Sequence, residues 1–261
     1  MQRTLHKIWE NDKTVTLSAF EGEAKQDRER AVIILPGGGY LAPAPREADP
    51  VAERFAELGY TAYVLRYSTA YESFENMSGA ENPHTVFPEP LCETAAAIAF
   101  ARARGAERVA LVGFSAGGHL AANYANHWKS AQVLEGAVLS PALAKPDACV
   151  LCYAATSLFR EGGERMRALV LGDDSSEERV KKYSAQHGIN ADTPPTFLWH
   201  SEADEVVPVS QTLDMAEALQ KNNIPFEKLI YKTGGHATGL SLGLEAEPWL
   251  QSAAAFLEKY M

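Results

Sequence analysis

The sequence predicts an α/β fold in one domain: a mostly parallel, twisted sheet with helices on both faces. Short apolar runs alternate with segments of helical period along nearly all of the 261 residues, as expected of successive strand–helix–strand units. Several of those runs are apolar almost without interruption, the mark of strands covered on both faces. No repeat, low-complexity tract or shift in composition divides the chain, and such folds often run past 200 residues undivided.

Residues 14–20 alternate well enough for an outer strand. A charged turn at residues 21–30 leads to a buried strand, Ala31-Val32-Ile33-Ile34-Leu35, which breaks at Pro36-Gly37-Gly38-Gly39-Tyr40. Val51, Phe55 and Leu58 have helical spacing over 48–58, with Gly59 where a C-terminal stop belongs. Residues 60–67, YTAYVLRY, form the next strand. Residues 68–87 show no periodicity, and a loop this long often belongs to a binding site or a lid. A helix over 89–104 stops at Gly105. Val109, Ala110, Leu111, Val112 and Phe114 then make a strand, followed by an Ala-rich helix to Trp128.

Two more strand-like pieces follow at 136–140 and 148–153. The stretch 156–192 is polar and broken, with two short helices, and is a candidate for a small cap-like insertion or lid. Residues 194–200 return to strand. A helix over 208–222, a strand over 226–231 and a helix over 247–259 complete the chain.

Composition narrows the function. The formal net charge of -10 argues against a nucleic-acid partner, because a phosphate backbone would be repelled. The acidic residues are scattered, which reads as a solvated surface. Residues 1–7 lead into no apolar leader core and no run is long enough to span a bilayer, so a cytoplasmic protein without a membrane partner is expected. Three cysteines agree with that. Cys149 and Cys152 form a C-x-x-C inside an apolar strand with no second pair, which reads as core packing and not as a metal site.

The chemistry concentrates at strand ends. Gly113-Phe114-Ser115-Ala116-Gly117 is a G-x-S-x-G turn between a buried strand and a helix, a spacing that pushes a serine hydroxyl out above the sheet. Ligands in parallel sheets bind at the carboxyl ends of the strands, where Gly37–Gly39, Ser115 and the loops after residues 200 and 231 all fall. A serine needs a base with a carboxylate behind it. His236, in Thr233-Gly234-Gly235-His236-Ala237, lies where a base could swing over Ser115. His119, one helical turn after Ser115, points at the helix flank and reads as structural. For the acid, Glu202, Asp204 and Glu205 share one turn. Asp204 is preferred for its place in that turn and its short side chain; its alternative role is to cap the next helix, where Ser210 also stands. Gly37-Gly38-Gly39 lacks the spacing and lysine of a phosphate loop and reads as an oxyanion hole, in which two glycine N–H groups are joined by the N–H of Ala116.

Pro36-Gly37-Gly38-Gly39-Tyr40, Gly113-Phe114-Ser115-Ala116-Gly117-Gly118-His119, Asp204-Glu205-Val206-Val207-Pro208 and Gly235-His236 together resemble an α/β-hydrolase. More narrowly, they resemble the esterase/lipase branch with acetyl-xylan-esterase-like and BD-FAE-like members. The resemblance implies a single α/β-hydrolase domain over 1–261 with a small cap or none. It also implies Ser115 as nucleophile, His236 as base and acid, Asp204 as orienter, and Gly38, Gly39 and Ala116 as oxyanion donors. Pro36 stands where the lipase-like relatives carry histidine, which favours small, polar esters.

The function expected is that of a serine esterase cleaving small acyl esters, acetyl esters of oligosaccharides among them, through an acyl-enzyme. No cofactor or metal is implied. An amide or peptide hydrolase such as an arylformamidase-like enzyme is the alternative, and a non-catalytic binding protein on the same scaffold a more distant one. Tyr40 and Tyr67 are candidate substrate contacts, with core packing as the competing role. A homodimer through the terminal helix is a further expectation.

Overall fold

The computed structural model describes residues 2–12, 14–21, 27–159 and 163–261. Among them an eight-stranded sheet is built from β1 (Gln2–Lys7), β2 (Thr16–Glu21), β3 (Asp27–Leu35), β4 (Tyr60–Arg66), β5 (Arg108–Phe114), β6 (Ala148–Cys152), β7 (Thr196–Ser201) and β8 (Phe226–Tyr231). Its order is β1-β2-β4-β3-β5-β6-β7-β8. The β1–β2 and β2–β4 pairings are antiparallel, and every pairing from β4 to β8 is parallel.

Among the described residues, nine α-helices connect and cover these strands: α1 (Asp49–Glu57), α2 (Glu89–Ala103), α3 (Ser115–His127), α4 (Ala131–Gly136), α5 (Pro141–Ala144), α6 (Glu164–Leu171), α7 (Glu177–Lys182), α8 (Ser210–Lys221) and α9 (Trp249–Tyr260).

Alternation along the strands splits the core in two. Ala31, Ile33, Leu35, Val109 and Leu111 face one side, where Leu91 and Ile98 of α2, Leu120 and Tyr124 of α3 and Met215 of α8 cover them. Val32, Ile34, Ala110, Val112 and Phe114 face the other, against Val51 and Phe55 of α1 and Trp249, Phe256 and Leu257 of α9. Both faces of the central strands are thus buried, which is why their sequences are apolar throughout. Cys149 belongs to the first side and Cys152 to the second, so the two thiols of the C-x-x-C do not converge. Burial pushes the Cys149 thiol up to about 12.

Two elements differ from the sequence reading. Residues 136–140 are not a strand: Gly136 ends α4, Val138 has φ +55° and is 88% exposed, and Ser140 precedes the proline that opens α5. The sheet position beside β5 is taken by β6, and a short apolar run cannot by itself tell strand from helix end. Conversely, β1 is a polar edge strand that the sequence does not announce. The charged turn at 21–30 falls mostly on residues 22–26, outside the described residues, and β3 already runs from Asp27.

The stretch 156–192 holds α6 and α7 as two short helices; its residues 160–162 lie outside the described ones. It is tied to the flank of α3, with Asn123 and Asn126 side-chain amides donating to the carbonyls of Tyr183 and Ala185. Residues 68–87 contain only two single turns of 3-10 helix, Phe74–Asn76 and Pro83–Thr85. Among the described residues no helix is long and apolar enough to cross a membrane.

Candidate active site

Ser115 is the first residue of α3, directly after β5, and its φ is +48°. That value is strained for a residue with a side chain and holds the serine on the sharp corner. Glycines make the corner possible. A Cβ on Gly117 would lie 2.0 Å from the Leu35 carbonyl oxygen, and one on Gly113 2.4 Å from that of Gly117. Neither position has room for a side chain.

The loops after β7 and β8 bring the partners. His236 Nε2 is 2.8 Å from Ser115 Oγ, and His236 Nδ1 is 2.7 Å from Asp204 Oδ2. An ionised carboxylate only accepts, so Nδ1 carries the ring proton and Nε2 is left to accept from the serine hydroxyl. Asp204 Oδ1 accepts the N–H groups of Val206 and Val207, each at 2.9 Å. Desolvation works to raise its pKa, but the hydrogen bonds from His200, His236 and Val207 outweigh it and hold the carboxyl well below the usual range. Glu202 and Glu205 are exposed, so within this turn only Asp204 turns inward. It caps no helix: α8 starts after Val209 with no side-chain cap.

The glycine loop closes the other side. A Cβ on Gly37 would come within 2.9 Å of Ser115 Cβ, so the loop lies directly against the serine. Gly38 has φ +116° and Gly39 φ +66°. Among the described residues the N–H groups of Gly38, Gly39 and Ala116 meet no acceptor, and both glycines are half-buried. Phe74, 41% exposed, brings its Cζ within 3.2 Å of the place a Gly38 Cβ would occupy.

Tyr40 and Tyr67 take the competing role, that of core packing. Both side chains are packed in the core, and both hydroxyls are used. Tyr40 donates to His119 Nδ1 at 3.0 Å, and Tyr67 donates to the Pro36 carbonyl at 2.7 Å. They support the glycine loop from beneath, because the aromatic run of β4 and the end of the loop face the α2–α3 side of the sheet. His119 is buried and structural: its Nε2 donates to the Tyr183 carbonyl at 2.8 Å, and burial brings its pKa down to about 4.

Three neighbours of the site are not apparent in the sequence. His200 lies 3.2 Å from Asp204 Oδ2 while its Nε2–H donates to the Val207 carbonyl at 2.8 Å. Glu47 and Tyr153 sit beneath the His236 loop, bonded to each other at 2.7 Å. A buried acid followed closely by a helix start gave no signal, since exposed acids commonly precede helices.

Strand order, a serine on the strand–helix corner and a histidine delivered after the last strand define the class of this protein: an α/β-hydrolase. The chain belongs to the BD-FAE family, whose model matches residues 19–219, a span that carries Ser115 and Asp204 and ends before His236. A solved relative, the acetyl ester-xyloside bifunctional hydrolase of Caldicellulosiruptor lactoaceticus, is 30% identical, with 98% of this chain and 96% of that one covered and a TM-score of 0.78. An α/β hydrolase enzyme from a Medee basin deep-sea metagenome library is 28% identical over 99% of this chain and 98% of that one, with a TM-score of 0.69. The chain is also 26% identical over 211 residues to endo-1,4-beta-xylanase B of Butyrivibrio fibrisolvens, a match covering 78% of this chain. It spans 32% of that protein's length.

Proposed function

We propose that this chain is a carboxylic ester hydrolase that removes acetyl groups from small or oligosaccharide esters through a Ser115–His236–Asp204 triad. The observation that carries the proposal is the unbroken file of hydrogen bonds, 2.7 Å from Asp204 to His236 and 2.8 Å from His236 to Ser115. Ser115 Oγ attacks the acyl carbon as His236 Nε2 takes the hydroxyl proton. Negative charge gathering on the carbonyl oxygen is met by the free N–H groups of Gly38, Gly39 and Ala116, each such donor typically worth about 3 kcal/mol. The imidazolium returns its proton to the departing alcohol, leaving an acyl-serine. Water, deprotonated by the same ring, then releases the acid and restores the serine.

Family membership favours an ester as substrate, and the relatives, an acetyl ester-xyloside bifunctional hydrolase and an endo-1,4-beta-xylanase, favour an acetylated sugar as its alcohol part. A cytoplasmic setting fits the three unpaired cysteines. The test is a substrate panel of acetylated xylo-oligosaccharides, alkyl acetates and formyl anilides, run on the wild-type protein and on Ser115→Ala. Hydrolysis of the acetyl esters that vanishes in the variant is expected. Full activity in the variant, or turnover confined to the anilides, overturns the reading.

A further inference from the structure

The proposed mechanism makes no use of a buried carboxylate that is bonded to the glycine loop. Glu47 is 1% exposed and lies in a short turn between the glycine loop and α1. Its Oε2 accepts the Gly37 N–H at 2.8 Å, and its Oε1 accepts the Tyr153 hydroxyl at 2.7 Å. Tyr153 in turn accepts the Gly239 N–H at 2.9 Å, and its ring stands edge-on to the His236 ring with centroids 5.0 Å apart. Gly37 opens the glycine loop that bears the oxyanion donors. Gly239 belongs to the loop that bears His236. The two loops approach closely here: a Cβ on Gly239 would fall 2.6 Å from the Arg46 carbonyl oxygen.

The polarity of this network is fixed. Gly239 N–H donates to Tyr153, Tyr153 O–H donates to Glu47, and Gly37 N–H donates to Glu47 from the other side. Only an acceptor-only group can end both arms, and among side chains that means a carboxylate. Burial pushes the Glu47 carboxyl up, opposed by the bonds from Tyr153 and Gly37 and by the charges of His236 and Arg46. A space that only needed filling would be served as well by an apolar side chain, since a buried charge carries a desolvation penalty.

We infer that Glu47 is a positioning residue: acting through Tyr153, it clamps the glycine loop to the His236 loop, so that oxyanion donors and base hold one geometry over Ser115. The inference rests on the proposed triad. The titratable groups that face Glu47 are Arg46, Tyr67, Cys152, Tyr153 and His236. Those that face His236 are Ser115, Asp204, Tyr153 and Glu47.

The experiment compares Glu47→Gln, Tyr153→Phe and the double variant with the wild type on an alkyl acetate, with thermal melting as the check on folding. Gln fills the same volume but presents an amino group to one of the two donors. Loosened alignment of reacting groups is expected to lower kcat about 10- to 100-fold in each single variant while KM changes less than about threefold. The double variant should lose little more than the worse single one, because both cut one chain. Wild-type kcat in folded variants, or losses that simply multiply, overturn the inference. Should Glu47→Gln not fold, Tyr153→Phe decides alone, since it keeps the ring beside His236 and removes only the hydroxyl. Ser115→Ala in parallel separates the two readings: activity surviving there defeats the triad itself.

Discussion

One oxygen of Asp204 meets two imidazoles: Oδ2 lies 2.7 Å from His236 Nδ1 and 3.2 Å from His200 Nε2. The His200 Nε2–H faces both this oxygen and the Val207 carbonyl, 2.8 Å away, and its Nδ1 lies 2.7 Å from the Thr212 hydroxyl. With Oδ1 taken by two main-chain N–H groups, the carboxylate has no freedom to turn. Its contribution to stability is full above about pH 4, the unfolded value, and is lost as pH falls toward the depressed folded one.

Asp204→Asn should therefore keep the shape and lose the chemistry. The amide nitrogen would face His236 Nδ1, forcing the ring proton onto Nε2, where it blocks the serine. A fall in kcat of about 10³- to 10⁴-fold is expected with KM little changed. Steady-state kinetics on an alkyl acetate, with a melting curve to confirm folding, measure it. Retention of a tenth of wild-type kcat would show that Asp204 does not set the tautomer.

A second acidic cluster is formed by Asp12 and Glu93 around Ser68. Ser68 Oγ lies 3.1 Å from Asp12 Oδ2 and also hydrogen-bonds Glu93 Oε1, yet the hydroxyl has one proton for two carboxyls. Burial pushes Glu93 up to about 8, with the Ser68 bonds opposing it. Asp12 is desolvated too, but hydrogen bonds from Thr14, Asn82 and Ser68 carry it below its ordinary value. At neutral pH the cluster is satisfied when protonated Glu93 donates to Ser68 and Ser68 donates to Asp12. The folded protein then holds a proton that the unfolded chain has shed above about pH 4.3. Stability contributed here is full below that value and is lost as pH rises through about 8. Raising the pH from 5 to 9 should remove on the order of 2–4 kcal/mol at this site. Glu93→Gln imitates the protonated acid and should flatten the melting temperature over that range. An unchanged slope in the variant sinks the assignment.

How far the sequence reaches is set by which forces are local. The strands at 31–35 and 109–114 and the corner at Ser115 were legible because burial on both faces and steric exclusion at Gly113 and Gly117 leave a mark in adjacent residues. Asp204 was legible through its place after a strand. Residues 136–140 were not, because an apolar pentapeptide fits a frayed helix end as well as a strand. Tyr40 and Tyr67 could face either way from the sequence alone, and the packing against His119 and Pro36 that decides it involves another helix and another strand. Glu47 owes its environment to Tyr153, which is 106 positions away, and no local pattern encodes that meeting.

Phe74 bears on the choice of substrate. Its loop is fixed to the glycine turn by two main-chain bonds, Ala70 N–H to the Tyr40 carbonyl and Tyr71 N–H to that of Leu41, both at 2.8 Å. The ring therefore stands over Gly38 with its position set and 41% of the residue exposed. A flat apolar surface beside an oxyanion donor suits the C–H face of a sugar ring in the proposed substrate, and offers little to a short alkyl chain. Phe74→Ala would forfeit about 1 kcal/mol of buried contact, a rise of about fivefold in KM for an acetylated xylobiose. Ethyl acetate, too small to reach the ring, should be hydrolysed with KM almost unchanged, and Phe74→Trp should restore the sugar ester. KM measured for both esters in both variants decides the matter: an equal rise for the two substrates would place Phe74 in the support of the glycine loop and not in recognition of the sugar.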